Sequence, residues 1–363
     1  MTQTNETLSR PAPSFLPATA VLEMTYRCNH RCLFCSCPWF DAEGDFDIRR
    51  EMTTQQWIDL VARFCTMGIS SMAFTGGEPL LKEGIEDILA FAASSKTEHI
   101  ETEGGRLVSR FEPPKLYLLS NGKIMSDRIF SLCKQHNIHL SLSLPGLTTF
   151  GYHTDGGDAD NVLKWFRKAE KLGVGTTVGV TVTRKNIHEL YETLSHAFIA
   201  GAGDLLMNRF LPGGRGLAHQ AELMLTRQQI PEMLDIAETV LNEANRVGHL
   251  GTELPKCTFD ADRYKRLKVS SRCSAGKDFF VVDPSGYIRV CNHSPVRLAH
   301  VDRIEALKQD PYWKRFNQKD YLPDQCASCE LILQCDGGCR EAAHIVTGSI
   351  NGLDPALADS GIT

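Results

Sequence analysis

Between residues 20 and 250 the hydrophobic period of the chain switches repeatedly between that of a strand and that of a helix, which restricts it to very few folds. Short apolar runs at 20–24, 72–74, 116–119, 138–143, 177–182 and 204–210 read as strands. A helix is expected from Thr53, where Thr53-x-x-Gln56 matches a capping box and Trp57, Leu60, Val61 and Phe64 share one face. Further helices are expected at 85–91, 125–135, 161–172, 187–200 and 226–246. A strand followed by a helix, six times over, requires a parallel sheet with its helices packed outside, and right-handed crossovers curl such a sheet. The expected fold is therefore α/β, a partial (β/α)6 barrel over residues 20–250. Before it lies a polar, Pro-containing lead-in, 1–19, and after it a small cysteine-rich part, 251–363. The polar stretch 94–114 is longer than a usual connection and reads as a surface excursion.

In such sheets reactive groups gather at the C-terminal ends of the strands. Cys28-x3-Cys32-x2-Cys35 lies there, directly after the first strand, with Cys37 two residues on. Thirteen cysteines in 363 residues, without a secretion signal, point to metal binding over disulfides, because the cytosol keeps thiols reduced. Three thiolates on one loop hold three irons of a four-iron cluster and leave the fourth iron open. The competing reading is a closed zinc site with Cys37 as fourth ligand. Cys65 and Cys133 stand alone in helical stretches and read as core thiols.

The second strand ends in Phe74-Thr75-Gly76-Gly77-Glu78-Pro79, which taken alone is only a strand-to-helix turn. Beyond residue 250 comes Cys273-x12-Gly286-x4-Cys291, then Cys326-x2-Cys329-x5-Cys335-x3-Cys339. A hairpin over 279–290, turning at Asp283-Pro284-Ser285-Gly286, brings Cys273 and Cys291 together. One or two structural zinc sites would also account for these thiols.

The triad, the Gly-Gly-Glu-Pro turn and the C-terminal spacing together resemble the radical SAM enzymes that carry a SPASM extension, over about residues 20–355. The resemblance implies that Cys28, Cys32 and Cys35 hold a 4Fe-4S cluster whose open iron chelates S-adenosyl-L-methionine. It implies that Gly76, Gly77, Glu78 and Pro79 form the turn that holds the cofactor's amino group, with Phe34 beside the adenine. Ser141 and Ser143 would meet ribose and carboxylate, and Arg209, after Asn208, the carboxylate, a structural salt bridge being the alternative for Arg209. His153 and Asp155 are candidates to meet substrate, though solvated loop residues are the plain reading. For the extension, one auxiliary iron–sulfur cluster falls to Cys273, Cys291 and Cys339, with Cys257 the candidate fourth ligand. A second falls to Cys326, Cys329 and Cys335. Its usual last cysteine, after an Asp-Pro pair, is missing here, since Asp354-Pro355 is followed by Ala356, Leu357 and Ala358. An oxygen ligand such as Asp354 or Asp359, or an open site, is expected in its place.

By the same resemblance the enzyme cleaves S-adenosylmethionine reductively to a 5′-deoxyadenosyl radical that takes hydrogen from the substrate. The auxiliary clusters, one or two, accept an electron or hold the substrate. The expected substrate is a ribosomally made peptide or protein, modified oxidatively or crosslinked. About twenty residues before the first strand leave no leader-recognition domain, so a separate recognition protein or direct capture is expected, with a flavodoxin- or ferredoxin-type reductant. The run 208–216 and the residues Cys339-Arg340-Glu341-Ala342-Ala343 look similar to a haem-related branch, which makes a tetrapyrrole or other small molecule the alternative substrate. From other classes come a zinc-stapled binding module and a pure electron carrier. A net charge of −5 gives no basic field for nucleic acid, and no apolar run is long enough to span a membrane. A cytoplasmic protein is expected.

Overall fold

The computed structural model describes residues 15–40 and 46–357; most of the expected lead-in, together with Asp359, lies outside these residues. The strands are β1 (Thr19–Glu23), β2 (Ser71–Thr75), β3 (Thr97–Glu103), β4 (Arg106–Glu112), β5 (Lys115–Ser120), β6 (His139–Ser143), β7 (Thr176–Val182), β8 (Asp204–Arg209), β9 (Gly248–Leu250), β10 (Leu267–Lys268), β11 (Phe279–Val282) and β12 (Ile288–Arg289). Ten of them form one sheet in the order β10-β9-β8-β7-β6-β5-β2-β1-β11-β12. Every neighbouring pair is parallel except the β11–β12 hairpin.

The expected six strands are β1, β2 and β5 to β8, and the helices between them follow from local chemistry. Helix Thr54–Thr66 starts where expected because Thr53 and Gln56 cap it reciprocally. Helix Asp127–Gln135 starts at the Ser126 cap, two residues later than expected. The stretch expected at 187–200 opens as the 3-10 turn Ile187–Glu189 before helix Leu190–Ile199, and the closing helix is Gln229–Glu243. Alternate strand residues such as Leu22, Phe74, Leu118, Leu140, Val178 and Met207 are buried in one core with Trp57, Phe64, Phe130 and Phe166 of the helices.

Two features go beyond the reading from sequence. Residues 97–112 are a separate antiparallel hairpin, β3–β4, turning at Gly104-Gly105. The sheet also does not stop near residue 250. β9 and β10 extend it past β8, while β11 lies parallel to β1 on the other side, pairing Leu22 with Val282. No helix among the described residues is long and apolar enough to cross a membrane.

Candidate functional site

Cys28, Cys32 and Cys35 lie on the loop after β1, and three other segments hold that loop by its backbone. Beneath it, Gly77 N–H donates to Thr25 O and Glu78 N–H to Arg27 O, both at 2.8 Å. A Cβ on Gly77 would stand 2.2 Å from Arg27 O, and one on Gly76 would stand 2.8 Å from Thr25 O, so the paired glycines are required by close backbone approach. From the side, Leu33 N–H donates to His153 O at 2.9 Å, and His30 Nδ1 lies 3.1 Å from Thr154 O. From above, Gly216 N–H donates to Cys35 O at 3.0 Å and the Arg215 guanidinium to Cys32 O at 3.2 Å.

The Glu78 carboxylate is wholly buried and turned to the end of β5, accepting from Ser120 Oγ at 2.9 Å and Asn121 N–H at 2.8 Å. Burial raises its pKa from 4.5 to about 7 against these hydrogen bonds. What the Gly76–Pro79 turn can offer a ligand is therefore its backbone, since its one charged side chain is engaged within the fold.

Among the loop thiols, Cys35 is held below its ordinary value, chiefly by the hydrogen bond it takes from Cys37, with Arg215 adding its charge. Burial raises Cys28 and Cys32. Cys37 Sγ also lies 3.9 Å from Gly76 O, between the loop and the glycine turn. Cys35, a low-pKa thiol beside the Arg215 cation, is the one of the three best suited to metal ligation as it stands.

Cys35, Cys37 and Phe34 line one end of a cavity of about 460 Å³. Its wall is the inner face of the sheet, including Val21, Ala73, Leu119, Thr181, Leu206 and Asn208. Ser141 pairs with Leu119 and Ser143 with Gly179, itself paired with Leu206, so both serines share this face. The other end of the cavity is lined by Cys273, Cys291 and Cys339. Burial raises the Cys273 and Cys291 thiols well above their ordinary value, and Glu253 and Glu341, also on the cavity wall, add negative charge. Three cysteines on one wall are the type of donor that an iron–sulfur cluster takes.

Two aspartates hold this second thiol group. Cys273 N–H donates to Asp336 Oδ2 at 2.9 Å, and Cys339 N–H donates to Asp354 Oδ2 at 2.6 Å. Lys319 and Lys277 neutralise Asp336, at 2.9 and 3.3 Å.

Several sequence expectations need correction. Arg209 borders the cavity, but its guanidinium pairs with Asp354 at 2.6 Å and donates to Glu253 O, both residues of the pair being buried; this is the structural salt bridge. That pairing, with the N–H groups of Cys339 and Ala356, occupies Asp354, so it is not poised as a cluster ligand. His153 is buried and binds Thr149 O and Thr183 Oγ1, while Asp155 faces Arg31 at the surface. Cys257 does not join Cys273: it lines a separate, smaller pocket with Cys326, Cys329 and Cys335.

Sequence reasoning missed Glu23 and His293. Glu23 is a buried carboxylate on the cavity wall, paired with the buried Arg289 of β12. His293, two residues after Cys291, is buried on the same wall with neither ring nitrogen hydrogen-bonded. Acidic Glu23 inside an apolar strand run was the one available signal.

Residues 22–197 match the model of the radical SAM superfamily. A PqqA peptide cyclase of Bradyrhizobium diazoefficiens is 24% identical over 360 residues, covering 94% of this chain and 86% of that protein. Another from Gluconobacter oxydans is 25% identical over 365 residues, covering 97% and 92%. Among solved structures, Streptococcus suis SuiB bound to its precursor peptide SuiA superposes with a TM-score of 0.70 at 14% identity, over 94% of this chain and 76% of SuiB. Native anSMEcpe with bound AdoMet gives 0.68 at 16%, over 93% of each chain. The chain thus carries a radical SAM superfamily domain over residues 22–197, the stretch that contains the three-cysteine loop and the glycine turn packed beneath it.

Proposed function

We propose that the chain is a radical SAM iron–sulfur enzyme that modifies a ribosomally made peptide or protein by oxidation or crosslinking. The observation that carries the reading is the cavity lined by Cys35 of the first thiol group and by Cys273, Cys291 and Cys339 of the second, because it joins the two groups through one shared space. When bound, the cluster and S-adenosylmethionine supply the 5′-deoxyadenosyl radical. The protein's own contribution is placement. The Gly76–Glu78 turn, helix Phe150–Thr154 and Gly216 fix the cysteine loop, and the apolar wall of Leu119, Leu206, Leu211 and Phe279 keeps water from the reacting carbon.

A peptide substrate is supported by the names of the relatives, PqqA peptide cyclases, and by the peptide in the SuiB structure. A cavity of about 460 Å³ is of the size that takes a small ligand with a side chain beside it. A flavodoxin- or ferredoxin-type reductant, a separate leader-recognition protein and a cytoplasmic location belong to the same proposal. The test is anaerobic purification, iron and sulfide counts, and addition of dithionite with S-adenosylmethionine. Iron and 5′-deoxyadenosine are expected, followed by loss of hydrogen from a candidate peptide in mass spectra. Zinc without 5′-deoxyadenosine refutes the proposal and favours a binding module.

A further inference from the structure

We propose that Cys257 is a ligand of the distal cluster site, closing a four-thiol set with Cys326, Cys329 and Cys335, and that Cys273, Cys291 and Cys339 form a three-thiol site facing the main cavity. This rests on the iron–sulfur reading above. The first observation is spatial. Cys257, Cys326, Cys329 and Cys335 line one pocket together with Pro255, Ile332 and Leu357, while none of the four lines the main cavity. The second is backbone geometry. Lys256 N–H, next to Cys257, donates to Cys335 Sγ at 3.4 Å, and Gly337 N–H donates to the same sulfur at 3.3 Å. Hydrogen bonds to a sulfur are what a ligating thiolate accepts from its surroundings.

The turn that carries Cys257 is itself fixed. Leu254 N–H donates to Ser270 O at 3.1 Å and Thr258 N–H to Pro255 O at 2.9 Å, so Cys257 is delivered by a set backbone. Position 357, where the chain passes this pocket after the Asp-Pro pair, offers a leucine. Cys257, far upstream in sequence but lining the same pocket, supplies the missing thiol. Four thiolates satisfy a cubane cluster fully, which suits a site that only passes electrons. Cys273, Cys291 and Cys339 would hold such a cluster with one thiolate fewer.

The test uses full-length chain reconstituted anaerobically, with iron content and the EPR spectrum of the reduced clusters as readouts. Two backgrounds separate the sites: Cys273→Ala/Cys291→Ala disables the proximal one and Cys326→Ala/Cys329→Ala the distal one. Adding Cys257→Ala to the first background is expected to remove or reshape the remaining auxiliary signal and to lower iron by up to about four per chain. Added to the second, it is expected to change nothing. If Cys257→Ala does not give folded protein, Cys257→Ser keeps the chain intact, and a shifted signal in the first background alone is the expected result. The reverse pattern, or insensitivity in both backgrounds, overturns the assignment. Wild-type chain without iron refutes the radical enzyme itself, and zinc content in the same variants then reads the thiol allocation in place of EPR.

Discussion

Replacing Gly77 by alanine isolates how tightly the glycine turn and the cysteine loop are joined. Gly77 has no positive φ, so a methyl group there meets no backbone strain and the whole cost is contact. The new Cβ would stand 2.2 Å from Arg27 O, 2.7 Å from Arg27 C and 3.0 Å from Tyr26 O, all main-chain atoms that no rotamer change can move aside. Ordinary contact returns only if turn and loop separate by about 1 Å. Overpacking of this kind costs about 1–3 kcal/mol. The two 2.8 Å hydrogen bonds to Thr25 O and Arg27 O are lost with the separation, at about 0.5–1.5 kcal/mol each. With an unfolding entropy near 0.8 kcal/mol per kelvin for a chain of this size, the melting temperature should fall by about 3–7 °C. Because Cys28 follows Arg27 directly, the same shift displaces one of the three proposed cluster ligands relative to Cys32 and Cys35. Reconstituted Gly77→Ala should lack most of one cluster's iron, and its rate of 5′-deoxyadenosine formation should drop about 100-fold. Scanning calorimetry, iron analysis and chromatography of the nucleoside read the three effects. Gly151→Ala is the control: its Cβ meets nothing nearer than Gly157 O at 3.6 Å, and it should melt like wild type. A Gly77→Ala chain with unchanged melting and full iron would refute the packing argument.

Glu78→Gln is expected to alter the pH dependence of stability. The folded carboxyl binds its proton more tightly than the unfolded one, so its contribution is fully present below pH 4.5 and is lost as pH rises through about 7, a change of about 3 kcal/mol. The glutamine variant should lose that slope in urea titrations, and its amide N–H would face a donor, Asn121 N–H or Ser120 O–H, costing about 1–3 kcal/mol; a wild-type slope would exclude Glu78 as its source. Arg209→Met leaves Asp354 buried and unpaired and should cost about 3–5 kcal/mol in unfolding free energy; Arg209→Met/Asp354→Leu should recover part of it, and no recovery would mean that the pair does not act as a unit. Shortening the β3–β4 hairpin by its exposed tip, residues 101–108, should leave the melting temperature within about 1 °C, because the anchors Thr97 and His99 lie outside the cut; a larger fall would show that the tip packs in solution.

The barrel was legible because its strands and helices differ in hydrophobic period and because Thr53-x-x-Gln56 marks one helix start by its own side chains. The β3–β4 hairpin was not, since beyond Thr97 and His99 its residues are largely exposed and mostly polar; Gly104-Gly105 at the tip was the one usable sign. β9 and β10, of three and two residues, are too short to show a period. Closeness in sequence misled for Cys257, which lies sixteen positions before Cys273 but folds against Cys335, far along the chain. Arg209 at a strand end fits a cofactor contact and an ion pair equally well by sequence, and only Asp354, 145 residues on, decides between them.

The parallel pairing of β11 with β1 makes the two ends of the chain one cooperative unit. Cutting the protein after residue 250 would therefore not yield a smaller, tidier catalytic fragment. It would strip the partner from Thr19, Ala20, Val21 and Leu22 and leave the strand that leads into the cysteine loop as a bare, apolar sheet edge. Such edges recruit one another, so truncation at the apparent boundary should give aggregates in place of a soluble barrel. Evolutionary shuffling of the cysteine-rich part between barrels faces the same obstacle: a newcomer must bring a matching strand as well as its thiols.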